Sequence, residues 1–218
     1  MTFTICAAEQ RSDEWHQARV GRFTGSAAGD MLDVLKDGKT PSSKRRDLLA
    51  RLVCERLTGL PQEDTYVNAA MQWGIDHEAD AFDAYEGHSG NLVRRTGFLS
   101  GVEHLVGCSL DGDVEKLTGI VELKCPKSAT HLNYIKARKV PSSHMPQVLH
   151  NLWVSGAQWC DFVSYDPRFP ESHRLLVYRV PRVEIEVLAY EKVALKFLAE
   201  IDAEIEQLRS LVPAGAAA

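Results

Sequence analysis

The sequence predicts an α/β (α+β) domain with a mixed sheet, and three observations predict it. Helical patterns fill most of the first 88 residues, three short strand-like runs follow, and two further strands come after more helices and before a long amphipathic closing helix. At 218 residues the chain can bury one sizeable core without disulfide staples. The expected organisation is a single domain over residues 1–212, made of a helical N-terminal segment over 1–88, a sheet core over 89–182 and a C-terminal helix over 183–212, with 213–218 as a flexible tail.

Ser12-Asp13-Glu14 before Trp15 supplies a cap and an acidic first turn, so a short helix runs to about Val20. Thr24 to Ser26 opens a second helix, ending before Asp37-Gly38. Gly38-Lys39-Thr40 is no phosphate loop, because Asp33 stands where that motif needs a glycine. Pro41-Ser42-Ser43 starts a third helix through Leu48, Leu52 and Val53 to about Leu57, closed by Thr58-Gly59. From Val67 to about Glu86 one long pattern places Met71, Gly74, Glu78, Ala81 and Tyr85 on a single stripe. Glu78 either faces inward, where a carboxylate needs a partner or a metal, or reaches water at the edge of the stripe.

The strand-like runs Leu92 to Leu99, His104 to Leu110 and Leu117 to Lys124 are bounded by Ser-Gly, Asp-Gly and Cys-Pro and read as a meander. Helices around Ser128 to Ala137 and Ser143 to Val154 precede strands Trp159 to Tyr165 and Arg174 to Val180. An amphipathic helix from about Val183 to Leu211 closes the chain.

Five scattered cysteines with no C-x-x-C pair argue against a secreted disulfide scaffold and against a zinc or iron–sulfur knuckle. No signal-peptide pattern and no window of roughly 18 apolar residues is present, which places the expected protein in the cytoplasm with no membrane partner. A net charge of −5 gives no global case for nucleic acid. Local clusters at Lys44-Arg45-Arg46, Arg94-Arg95, Lys124 with Lys127, and Lys136 to Lys139 still leave room for a basic groove on an acidic body.

The stretch GIVELKCPK, Gly119 to Lys127, carries the chemistry. Strand alternation puts Glu122 and Lys124 on one face and Val121 and Leu123 on the other. If the preceding strand pairs back through the intervening turn, Asp111 and Glu122 converge at one end of the sheet. Two carboxylates there would seat Mg²⁺, and Lys124 would hold or polarise a water. The other reading of the same residues is a turn Asp followed by a solvent-exposed ion pair.

Asp111 with Glu122-Leu123-Lys124 resembles the PD-(D/E)XK nuclease signature. EWHQARVGRFTGS (Glu14 to Ser26), MQWGIDHEADAF (Met71 to Phe82), CSLDGDV (Cys108 to Val114) and VPSSHMPQVLHNLWVSGAQWCDFVSYDPR (Val140 to Arg168) narrow the resemblance to the lambda-type phage exonucleases, or YqaJ-type viral recombinases. The resemblance implies a restriction-endonuclease-like core with a central mixed sheet flanked by helices. It implies a Mg²⁺-dependent exonuclease, with Mn²⁺ able to substitute and no ATP, that digests one strand of duplex DNA from a 5′-phosphorylated end. The 3′ overhang would serve a single-strand annealing protein. A homotrimeric ring and a phage or prophage origin in a bacterial host are implied as well.

By the same resemblance Asp111, Glu122 and the Leu123 carbonyl bind the metal, Glu78 assists directly or through water, Lys124 supports the attacking water, and Gln147 contacts the same centre. Arg19 grips the 5′-phosphate beside the hydroxyls of Ser26 and Ser109, a fork that suits a dianion. Gln147 shares a polar helix side with His144 and Asn151 and by itself reads as a surface residue. The family's arginine after its Cys-Pro run has no counterpart here, the matching place falling near Thr130, and Lys127 is the candidate substitute, a further candidate for binding the 5′-phosphate. Met71 is the candidate wedge at the DNA end. The alternatives are a related endonuclease, a CRISPR-associated-type exonuclease, or an inactive DNA-end-binding recombination scaffold.

Overall fold

The strands are divided between two sheets in the computed structural model, which describes residues 2–62 and 68–211. In chain order the elements are β1 (Phe3–Cys6), α1 (Asp13–Arg19), β2 (Phe23–Thr24), a 3-10 turn (Gly25–Ala27), α2 (Ala28–Leu32), α3 (Ser43–Thr58), α4 (Ala69–Asp76) and α5 (Glu78–Ser89). There follow β3 (Val93–Arg94), β4 (Phe98–Gly101), β5 (Val106–Ser109), β6 (Gly112–Val114) and β7 (Gly119–Lys124). Then come α6 (Ser128–Ala137), α7 (Met145–Ser155), β8 (Trp159–Tyr165), β9 (Leu175–Pro181) and α8 (Glu184–Leu211).

Local chemistry sets these bounds. The Ser12 hydroxyl caps α1 by accepting from the Trp15 N–H, and Ser42 and Asn68 cap α3 and α4 in the same way. Gly59, Gly90 and Gly156, all with φ near +70°, end α3, α5 and α7 in the left-handed conformation that glycine adopts without strain.

One sheet runs β1-β4-β5-β2 and the other β3-β6-β7-β8-β9. In the second, β7 and β8 are parallel with Glu122 opposite Phe162, and the remaining pairs are antiparallel. The expected meander is thus corrected: the run Leu92 to Leu99 contributes to both sheets, and the chain changes sheet again between Ser109 and Gly112. Asp111 lies at that crossing. The short strands β1 and β2 are too brief or too near the start to register in the pattern.

Two other expectations are corrected. The second helix stops at Leu32, because the Asp37-Gly38 turn folds Val34 back against Pro41 and the Leu35 N–H onto the Thr40 carbonyl at 2.8 Å. The long pattern from Val67 is two helices broken at His77, with Val67 itself outside the described residues. At the break the His77 carbonyl accepts from the Ala81 N–H at 3.1 Å and also from the Cys125 thiol at 3.7 Å. The break separates the stripe: α4 buries none of its residues, whereas α5 buries Ala81, Phe82 and Tyr85.

Two apolar clusters sandwich the larger sheet. Ile120 joins one that includes Leu52, Leu152, Phe197 and Ile201 from α3, α7 and α8. Val121 and Leu123 join the other, under α5. The alternation read from the sequence therefore holds, with Glu122 on the α7 side. On the same sheet Asp161, 1 % exposed, accepts from Tyr85 Oη at 2.7 Å and from both Arg179 Nε and Nη2 at 2.8 Å. Burial, then the bond to Asp161, pushes the Tyr85 phenol up to about 12. Tyr85→Phe should lower stability by about 1–2 kcal/mol, a drop of about 2–8 °C in the thermal midpoint by calorimetry, because one acceptor of a buried carboxylate loses its donor.

Candidate active site

The site is built on the last turn of β7. Glu122 is 1 % exposed, and its Oε2 accepts from Asn151 Nδ2 at 3.0 Å while Oε1 pairs with Lys124 Nζ. Asn151 can reach in because residue 25 is glycine: a Cβ there would lie 2.4 Å from Asn151 Oδ1. Asp111 is pinned by the backbone, its Oδ2 accepting from the Leu123 N–H at 2.7 Å. Desolvation first, and then the Glu122 charge, push the Asp111 carboxyl up to about 7 against the opposing pull of Lys124 and the Leu123 N–H. For Lys124, burial pulls the ammonium down, but Glu122 and Asp111 outweigh it and leave it above the ordinary lysine value.

Asp111, Leu123 and Lys124 line a cleft of about 750 Å³ together with Trp15 and His16, with Met71, Ile75 and Glu78, and with Tyr134 and His144. Glu78 is held by Arg95 Nη1 at 2.5 Å and Arg11 Nη2 at 3.4 Å, Arg11 having a left-handed backbone (φ 74°). Met71 projects from α4, 54 % exposed. His144 accepts or donates at Tyr134 Oη, 3.0 Å away, and burial followed by the Lys124 charge lowers it to about 4, so its ring is neutral at neutral pH.

Beside the cleft a second cluster forms around Arg19. Its Nη1 donates to Ser109 Oγ at 3.1 Å, its Nη2 approaches Thr24 Oγ1 at 3.4 Å, and Thr24 Oγ1 lies 3.3 Å from Ser26 Oγ. Trp15 stacks on the guanidinium at 4.3 Å and also donates from Nε1 to Ser109 at 3.1 Å. The turn after α1 is clamped from α3: Glu55 accepts from the Gly21 N–H at 2.8 Å, and Arg56 Nε donates to the Gly21 carbonyl at 2.9 Å. Gly21 has φ +68°, and a Cβ there would meet Arg56 Cγ at 2.8 Å, so glycine is required twice over.

The structure thus brings Asp111, Glu122, Leu123 and Lys124 together at one place and Arg19, Ser26 and Ser109 at another, with Ser109 two residues before Asp111. Glu78 and Met71 stand on the cleft wall. Gln147 lies on α7 one turn before Asn151, and among the described residues its side chain makes no hydrogen bond. The polar side of α7 is not solvent-facing, since Asn151 is 1 % exposed against Glu122. Lys127 lines a separate groove with Trp73 and Arg168. Asn151, Thr24, Trp15, Arg11 and Arg95 complete the site without having been singled out. Only Asn151 carried a signal, its helical spacing from Gln147.

Among the described residues no three His, Cys, Asp or Glu side chains gather as a ready metal cage. The pair Asp111 and Glu122 nevertheless fits Mg²⁺, which takes one or two carboxylates and completes its shell with water and substrate phosphate. Burial first, and then the Glu122 charge, disfavour the ionised Asp111 carboxylate, and a bound cation would offset both.

The profile of the YqaJ-like viral recombinase domain matches residues 14–158. The chain belongs to that family. The YqaJ-like chain is also similar to the alkaline exonuclease LHK-Exo from Laribacter hongkongensis, at 35 % identity and a TM-score of 0.81 over 91 % of this chain and 97 % of that one. LHK-Exo in complex with dAMP gives 34 % identity with the same TM-score and coverage. A phage-related exonuclease from Haemophilus somnus shares the fold at 14 % identity and a TM-score of 0.62, over 86 % of this chain and 96 % of that one. No curated protein matches. The fold is that of the PD-(D/E)XK nucleases, and the protein is a deoxyribonuclease of a recombinase family, a kind that generally uses a divalent metal. Among the described residues no helix is long and apolar enough to cross a membrane.

The raised Asp111 carboxyl has a stability consequence. A carboxyl held above its ordinary value of 3.8 contributes fully below that pH, and the contribution is lost as pH rises towards 7. In EDTA, Asp111→Asn should therefore raise the thermal midpoint at pH 8, by roughly 2–4 °C per kcal/mol of repulsion removed, and leave it unchanged near pH 3.5. Scanning calorimetry at the two pH values measures the difference.

Proposed function

We propose that this nuclease is a Mg²⁺-dependent 5′-to-3′ exonuclease that digests one strand of linear duplex DNA from 5′-phosphorylated ends. The observation that carries the reading is the adjacency of the two clusters, Ser109 in the Arg19 group lying two residues from Asp111 in the carboxylate group. A guanidinium with hydroxyls one nucleotide away from a hydrolytic centre selects an end that bears a phosphate. The relative solved with dAMP contains a deoxynucleoside monophosphate, the size of product such cleavage releases.

Asp111, Glu122 and the Leu123 carbonyl would hold the metal, with Glu78 assisting through water and Gln147 contacting the same centre. When bound, Mg²⁺ (or Mn²⁺) stabilises charge on the phosphoryl oxygens and makes its water more acidic. The chain's own residues do the rest. Lys124, fully charged, orients the attacking water and offsets negative charge as the bond from phosphorus to O3′ breaks. Arg19, Ser26 and Ser109 anchor the terminal phosphate, so that one nucleotide separates the anchor from the cut. Met71 is placed on the wall to wedge the end open.

The 3′ overhang left behind is the substrate of a single-strand annealing protein. A homotrimeric ring around the duplex accounts for the net charge of −5, because enclosure retains DNA that an acidic exterior would not attract. Light scattering at micromolar protein should give three times 24.3 kDa; a monomeric mass removes the ring. Wild type with Mg²⁺ should degrade linear duplex with 5′-phosphate faster than with 5′-hydroxyl ends and spare closed circles. Lys124→Ala should lose about 10²–10³ in kcat. Arg19→Ala should lose the preference for phosphorylated ends by about tenfold or more while retaining metal binding. Attack on circles, or preference for 3′ ends, refutes the polarity.

A further inference from the structure

A third groove, of about 570 Å³, opens beside the catalytic cleft and shares Ala70, Cys125 and Pro126 with it. On its opposite side the cleft shares His16 with the small pocket around Arg19. The shared residues order the three spaces: terminal-phosphate cluster, carboxylates, third groove. A strand whose 5′ end sits at Arg19 and whose first internucleotide phosphate lies at Asp111 and Glu122 has this groove ahead of it.

The chemistry of the groove suits a polyanion. Among the described residues that line it there is no carboxylate, whereas the cleft is lined by Asp13, Glu78 and Asp111. Lys127 is exposed at its edge. Arg168 is locked in place: Nε and Nη2 bond Asp166 at 2.7 and 2.9 Å, Nη2 reaches the Pro126 carbonyl at 3.3 Å, and the guanidinium lies 4.1 Å from the Trp73 ring centroid. Among the described residues Nη1 has no hydrogen-bond partner, so a fixed donor remains while Asp166 balances the charge. We propose that this groove seats the scissile strand's backbone just 3′ of the cut, with Lys127 Nζ and Arg168 Nη1 binding the second and third internucleotide phosphates. The assignment rests on the 5′-end reading above and extends it by naming what holds the strand that remains.

The test is a binding cycle in Ca²⁺ buffer, read by fluorescence anisotropy with 5′-phosphorylated duplexes. In one duplex the second and third internucleotide phosphates of the 5′ strand are neutral methylphosphonates; in another the facing phosphates of the complementary strand are. For wild type the first modification should weaken binding roughly tenfold. Lys127→Ala should bind the unmodified duplex a few-fold more weakly, show a correspondingly smaller further loss with the modified 5′ strand because only the Arg168 contact is left to lose, and have a log–log salt slope shallower by about 0.9. Arg168→Lys, which keeps a cation on Asp166 but removes Nη1, should behave alike. Multiplying losses, a loss cancelled only by the complementary-strand duplex, or wild type failing to bind the duplex overturns the proposal. Because the cycle reads binding, failure of the exonuclease reading appears separately, as absent 5′-end digestion in Mg²⁺.

Discussion

A carboxylate with 1 % of its surface exposed, at the end of a central strand, constrains everything around it. Burying a carboxylate so deeply is costly unless partners lie within hydrogen-bond reach. Lys124 and Asn151 supply them, and each imposes a further requirement: α7 must lie against β7, and residue 25 must lack a side chain. Asp111 is then drawn to the same spot by the Leu123 N–H. Two carboxylates and one ammonium leave one negative charge in excess when all are ionised. That imbalance is what makes the centre receptive to a divalent cation.

The Arg19 cluster, the proposed phosphate anchor, is secured by different means. Arg19 sits at the end of a short helix that buries no residue, so its position comes from the Gly21 turn, which α3 clamps at both the N–H and the carbonyl. Arg56 of that clamp is tied onward to Asp202 of α8 at 2.7 Å, and α8 packs on α7, which carries Asn151. Anchor and hydrolytic centre therefore share one rigid support. Their relative placement follows from packing.

Much of this was legible in the chain. The alternation in GIVELK placed Glu122 and Lys124 on one face because strand geometry admits no other arrangement. Ser12 marked the start of α1, and Ser42 and Gly59 both ends of α3, because capping chemistry is local. What escaped was set by tertiary contact. The break at His77 interrupts a pattern that periodicity reads as continuous, and the division of strands between two sheets depends on pairings remote in sequence. Asn151 was noted only as part of a polar helix side with Gln147, because a buried polar side chain and an exposed one leave the same mark on a helical pattern. Arg11 and Arg95 meet Glu78 only through the fold, across 67 and 17 positions.

The helix α4 walls the cleft and carries Met71, yet none of its residues is buried. Substitutions on a surface of that kind usually change stability by no more than about 0.5 kcal/mol. On the proposed reading this wall meets the DNA end, and it is free to vary in sequence while the buried centre stays fixed. Selection could retune which ends are accepted, one exposed side chain at a time, without reopening the folding problem.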